Sequence, residues 1–181
     1  MPILAFVANK HNLNSIATLT GALETDARTR ALDLRFLWQD ECLMPRLRAL
    51  RQETERLIVA LSFATANLPE VTVLTGKLRE LEPAPFVVAG GPHPSARAGE
   101  VLQLGTDAVV IGEGEEALPA LLERLLAGHS PTGLSGVATL AADGGLLQGP
   151  RPKPVDLDVY PPLGVEHRRF GPIEITRGCP C

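Results

Sequence analysis

Short apolar runs alternate with amphipathic stretches over the first two thirds of the chain. Pro2–Ala8 (PILAFVA) is apolar throughout and gives way to Asn9-Lys10-His11-Asn12, the pattern of a strand covered on both faces. Ser15–Glu24 then carries its apolar residues at helical spacing. Arg30–Trp38 predicts a second, alternating strand, and Leu43–Glu55 an amphipathic helix with Arg and Glu on its outer face. Leu57–Phe63 predicts a third strand, Leu68–Leu81 a helix, and Pro85–Ala89 a fourth strand met at once by Gly90-Gly91. A helix over Ala96–Leu104, a fifth strand over Asp107–Ile111 closed by Gly112, and a helix over Glu115–Leu126 complete the series. Strands alternating with helices across short loops predict an α/β fold, a doubly wound parallel five-stranded sheet of Rossmann-like type. The flavodoxin-like order 2-1-3-4-5 is the expectation by analogy.

The rhythm changes after Gly128. Val137–Leu140 and Leu146–Gln148 flank Ala142-Asp143-Gly144-Gly145 and predict a small β-hairpin. Gly149–Pro162, rich in Pro and Asp, predicts an extended surface linker. Gly171–Thr176 then resembles the first strand of something new and runs into Arg177-Gly178-Cys179-Pro180-Cys181. The expected organisation is residues 1–128 as one domain, 129–170 as hairpin and linker, and 171–181 as the opening of a further domain. The chain is therefore expected to be a fragment of a longer protein.

Composition narrows the classes. The 181 residues are 21% charged with a net charge of -4 and only 4% aromatic, and the basic residues are scattered. That argues against disorder and against a nucleic-acid binder, which needs a basic face for phosphates. No apolar run reaches the ~20 residues of a membrane span. The first residues lack a basic region and a cleavage site, so a cytoplasmic location is expected. Three cysteines cannot build a disulfide framework.

In an open parallel sheet ligands bind beyond the carboxyl ends of the strands, which singles out Asn9–Asn12, Ser62–Thr65, Gly90–Pro94 and Gly112–Glu115. Glycine and serine there let a large ligand approach the backbone and its free N–H groups, although a lone strand-end glycine serves a tight turn equally well. No G-x-G-x-x-G follows the first strand and no P-loop occurs, which disfavours nicotinamide dinucleotides and nucleoside triphosphates. His11 lies in the first loop, where the plainer reading is a solvated histidine. His93, stiffened between Pro92 and Pro94, is expected near the cleft floor, orienting a cofactor group. Glu113, Glu115 and Glu116 fit the start of a helix better than a catalytic carboxylate pair. Cys42 reads as a small buried hydrophobe. Cys179 and Cys181 alone supply too few ligands for zinc or a cluster.

Three strings in order, Val87–Pro94 (VVAGGPHP), Asp107–Glu115 (DAVVIGEGE) and Ile173–Pro180 (IEITRGCP), together with the linker Pro154–Pro162, resemble the cobalamin-binding-domain-containing radical S-adenosylmethionine (SAM) proteins. The resemblance spans most of the chain from Leu57 onward. It implies a Rossmann-like domain holding cobalamin against its strand ends through Asn9, His11, Ser62, Thr65, Gly90, Gly91, His93, Gly112 and Glu113. Ser62 falls where the family often places a hydroxyl on the cofactor's nucleotide tail, and Gly90-Gly91 would let that tail pass between sheet and helix. It also implies a following radical SAM domain of the same chain, with a 4Fe-4S cluster held by C-x-x-x-C-x-x-C. Three thiolates leave one iron open to chelate SAM, whose reductive cleavage gives the 5′-deoxyadenosyl radical. Cys179 matches the first cysteine of that motif, and Cys181 falls at a variable position within it.

Against the Asp-x-His-x-x-Gly motif that sets a histidine below cobalt, the chain reads Asn9-Lys10-His11-Asn12-Leu13-Asn14. The histidine is in place, while the orienting carboxylate and the glycine are replaced, and an imidazole without that partner is a poorer ligand. The resemblance implies a cobalamin-binding domain serving a methyltransferase or another radical transformation of unknown substrate. The alternative is a domain that has lost the cofactor and serves as a structural or substrate-presenting module, in which side chains would fill the space above Ser62 and Gly90. A free-standing flavodoxin- or receiver-like binding domain is a third reading, opposed by the cysteine-terminated strand.

Overall fold

The computed structural model describes residues 1–30, 32–156 and 158–172. Seven strands form one sheet in the order β2-β1-β3-β4-β5-β6-β7, with β1 at Ile3–Ala8, β2 at Asp33–Trp38, β3 at Leu57–Ser62, β4 at Phe86–Gly90 and β5 at Ala108–Val110. These five pair in parallel, in the expected order 2-1-3-4-5. The hairpin strands, β6 at Val137–Leu140 and β7 at Leu146–Gln148, lie where the sequence puts them and extend the same sheet. β6 joins β5 antiparallel through Val109↔Ala138 and Val110↔Val137, and this pairing of an edge strand enlarges the expected five-stranded sheet.

All six residues of β1 are buried because helices cover both faces, as its unbroken apolar run requires. On one face Ile3, Ala5 and Val7 pack with α2 (Leu43–Glu53), α3 (Leu68–Arg79) and α5 (Ala98–Gln103). On the other, Leu4, Phe6 and Ala8 pack with α1 (Leu13–Thr25) and α6 (Gly114–Leu126). Helix α6 starts with Glu115 and Glu116 and ends near Arg124, in accord with its dipole. The helix expected over Ala96–Leu104 is α5, and a further short helix, α4 (Pro92–Ala96), opened by Pro92 at its first position, precedes it and is separated from it by Arg97.

The linker folds back on the body as a strap. Pro152 lies against Gly112 and Gly136, and the Val155 N–H donates to Glu113 Oε2 at 2.7 Å. Further on, the Pro161 and Leu163 carbonyls press on Gly21 of α1, where a Cβ would come within 2.8 and 2.7 Å of them. Glu24, also on α1, accepts the N–H groups of Glu166 (3.1 Å) and His167 (2.9 Å) and meets His167 Nδ1 at 2.8 Å. Phe36 of β2 stacks on Phe6 with centroids 5.6 Å apart, and the Arg169 guanidinium sits 4.2 Å over its ring.

Burial alone would raise the Glu24 carboxyl, but the hydrogen bonds from His167 and Glu166 outweigh it and hold its pKa below the ordinary value of about 4.5. A depressed carboxylate stabilises the fold above its unfolded value, and that stability is lost as the pH falls through the folded one. Glu24→Gln is expected to lower the unfolding free energy at neutral pH by about 1 kcal/mol. Urea titrations should show this gap closing as the pH falls from the ordinary carboxylate value through the lower folded one, and a gap independent of pH would contradict it.

Candidate cofactor site

Strands β1, β3, β4 and β5 end at one edge of the sheet, and α1 and α6 start there. Between this helix pair and the sheet lies a cavity of about 370 Å³. Its floor is one row of the strand register, Phe6↔Ala60↔Val88, with the small Ala60 between two larger side chains. The walls are Ile16 and Leu19 of α1 and Leu118 of α6. Ser62, Gly90, Gly91, Gly112 and Glu113 form the rim, with Ser62 and Gly90 paired in register.

Two glycines shape this edge by necessity. Gly91 has φ +97°, and a Cβ there would come within 3.0 Å of the Phe63 backbone and the Ser62 hydroxyl. A Cβ at Gly114 would meet Leu19 Cδ2 at 2.8 Å, so glycine lets α6 approach α1. The Gly112 N–H donates to Ser95 Oγ at 2.9 Å, which fixes the end of β5 to α4.

Of the residues expected at the site, Ser62, Gly90, Gly91, Gly112 and Glu113 meet around the cavity; Asn9, His11, Thr65 and His93 are off its wall. His11 is exposed in the loop after β1. Asn9 Oδ1 accepts the His11 backbone N–H at 2.9 Å and its amide donates to Gln39 Oε1 at 3.1 Å, so the side chain standing in the aspartate position is spent on the loop itself. His93 is only 6% exposed and is absent from the cavity wall. It packs 5.6 Å from the Phe63 ring, with Nδ1 3.1 Å from Thr65 Oγ1, and joins the β3 loop to α4 from the opposite side. Cys42 is exposed rather than buried, because the apolar stripe of α2 runs through Leu43, Leu47 and Leu50. Cys179 and Cys181 lie outside the described residues, among which no three His, Cys, Asp or Glu side chains converge as a metal site.

The sequence reading misses Asn12. Its side chain is buried, accepts the Asn9 N–H at 2.8 Å, and donates to Val7 O at 2.9 Å and Ser62 O at 3.1 Å. It therefore ties the ends of β1 and β3 and the intervening loop to each other. A polar residue beside a helix start signals a cap, and only the folded contacts show this other use.

A glycine-rimmed, apolar-floored slot between strand ends and a helix pair lies where open α/β sheets take their ligands. Residues 6–122, more than half of the chain, match the B12 binding domain, and the chain belongs to that family. Over 130 residues it is 33% identical to the hopanoid C-3 methylase of Methylococcus capsulatus, a match covering 64% of this chain. The chain spans only 24% of that relative's length. Among solved structures it resembles the radical S-adenosylmethionine methyltransferase TsrM of Kitasatospora setae with tryptophan substrate and a SAM analogue bound, with a TM-score of 0.64 at 21% identity over 82% of this chain and 30% of that one. A TsrM structure with cobalamin and a [4Fe-4S] cluster bound aligns with a TM-score of 0.60, at 21% identity over 87% of this chain and 30% of that one. The cobalamin-dependent S-adenosylmethionine radical enzyme OxsB with aqua-cobalamin bound aligns at 0.56, with 13% identity over 84% of this chain and 23% of that one. At these identities the likeness shows the fold. Among the described residues, no helix is long and apolar enough to cross a membrane.

Asn12→Ala would leave the Val7 and Ser62 carbonyls without this donor. The expected result is a loss of about 2 kcal/mol in unfolding free energy, with faster amide exchange in residues 9–12 than in α3. Equal exchange in both regions would show that Asn12 does not hold the loop.

Proposed function

We propose that this chain is the cobalamin-binding domain of a radical SAM methyltransferase. In this reading residues 1–128 hold the cofactor, 129–170 connect, and 171–181 open the domain that carries the 4Fe-4S cluster and SAM, with Cys179 as the first cluster ligand. The observation that carries it is the open slot at the strand ends, which the residues fit. Its floor is apolar, Gly90 and Gly91 add no side chains to its rim, and the Ser62 hydroxyl is at the mouth.

Cobalamin, when bound, supplies a cobalt centre that can carry a methyl group. The chain's own part is to seat and orient it. Gly90, Gly91 and Gly112 would let the nucleotide tail approach the backbone, Ser62 would offer it a hydrogen bond, and Glu113 would flank the entrance. Asn9 and His11, in the loop after β1, would flank the bound cofactor, while Thr65 and His93, joined at 3.1 Å, would brace the β3 and β4 ends. The methyl-transfer reading draws on the sequence likeness to the hopanoid methylase; the substrate class stays open. The cofactor-less alternative predicts a filled slot, and the open one counts against it.

Incubation with hydroxocobalamin, desalting and recording of the visible spectrum tests the assignment. About one corrinoid retained per chain is expected. A colourless protein would sink it.

A further inference from the structure

The proposed cofactor belongs to a class whose members share the corrin but differ in the base that ends the nucleotide tail. Cobalamin carries dimethylbenzimidazole, apolar apart from its imidazole nitrogens. Its adenine counterpart, pseudocobalamin, adds two ring nitrogens and an exocyclic amine. Which base a cleft accepts depends on what lies at its deep end.

Here depth can be read from the register. Ser62 and Gly90 are the last residues of their strands, and Phe6, Ala60 and Val88 are the row two residues further in. On the helix side Ser15 and the buried Glu115 lie in the first turns of α1 and α6, and Leu19 and Leu118 lie about a turn further along them. Polar side chains on the lining thus concentrate at the entrance, where Ser95 is already accepting from Gly112 and Glu113 from Val155. Thr18, the polar wall residue beside Leu19, donates its hydroxyl to Asn14 O at 2.9 Å. At the level of the floor row the side chains are Phe6, Leu19, Ala60, Val88 and Leu118, and the strand backbone there is committed to the sheet.

We infer that this slot selects cobamides by their lower base, accepting dimethylbenzimidazole and discriminating against purines. The inference rests on the cobalamin reading above. A purine edge pushed to the floor row would lose its water and find no partner, whereas benzimidazole methyl groups meet carbon on each side. Ala60 gives the flat base its room, between Phe6 and Val88 in the same row.

The test is equilibrium binding of hydroxocobalamin, pseudocobalamin and diaquacobinamide, which lacks the tail, to the unmodified chain. Corrin absorbance retained on ultrafiltration gives one readout and quenching of the single tryptophan, Trp38, another. Cobalamin is expected to bind about tenfold or more tightly than pseudocobalamin, and pseudocobalamin to fall near cobinamide. Val88→Thr, nearly isosteric, places a hydroxyl in the floor and should shrink the gap between the two complete cobamides by about threefold or more. Retention of cobalamin with pseudocobalamin inside about threefold of it would overturn the selectivity and leave the cofactor reading standing. Cobinamide binding as tightly as cobalamin would do the same, since the tail would then not be seated. Failure of all three to bind would overturn both.

Discussion

One buried amide holds the working edge of this domain in register. Adjacent parallel strands are bonded along their length, but where they end their last carbonyls need partners or water. Asn12 answers for two of them, Val7 and Ser62, and at the same time accepts from Asn9, so the ends of β1 and β3 and the loop over them move as a unit. The β4 end is fixed next to it, by Phe63 N–H donating to Gly90 O at 3.1 Å and by the tight approach of Gly91 to Phe63. The slot can stay open because the Val7, Ser62 and Gly90 carbonyls and the Gly112 N–H at this edge already have partners.

That openness follows from a difference in side-chain size between the two faces of the sheet. The face under α2, α3 and α5 is filled with Leu and Val from both layers. The face under α1 and α6 closes well at its far end through Leu23, Leu121 and Leu122, all but completely buried. Toward the strand ends the sheet offers Ala60 and Gly90, and the loop after β5 offers Gly112, too small to reach the helices, while Gly114 lets α6 lean on Leu19. A cavity in a protein interior normally collapses or is filled. Here the helix pair is held at its distance by the well-packed half.

The sheet was legible because a strand buried on both faces must be apolar, and β1, β4 and β3 up to Ser62 are. The strand-end glycines were legible as site candidates because several strand-end loops carry Gly or Ser together, whereas one alone would serve a tight turn equally well. Other features depend on contacts that no local pattern carries. The hairpin around Gly144 is visible as a hairpin, but its attachment to Val109 and Val110 is a choice of tertiary neighbour. The side His93 takes depends on the positive φ of Gly91, which turns the chain before the helix of Pro92 begins. Cys42 is one residue off the buried stripe of α2, a displacement that decides exposure. Asn12 is a polar residue in the core, and apolar periodicity cannot find one.

The strap has a consequence for the order in which the molecule assembles and loosens. Glu24 meets His167 across 143 residues of sequence, so the loop closed by that contact is nearly the whole chain, and its entropy cost is incurred late. The platform on which it lands, α1 beside the stacked Phe6 and Phe36, exists only after β1 and β2 have paired. Residues 161–169 should therefore dock last and, being held by a few polar contacts and one cation–π pair, detach first, as a separate cooperative unit of low stability. Because the same α1 forms one wall of the slot, each such opening frees that wall from its outer brace while the sheet beneath remains intact.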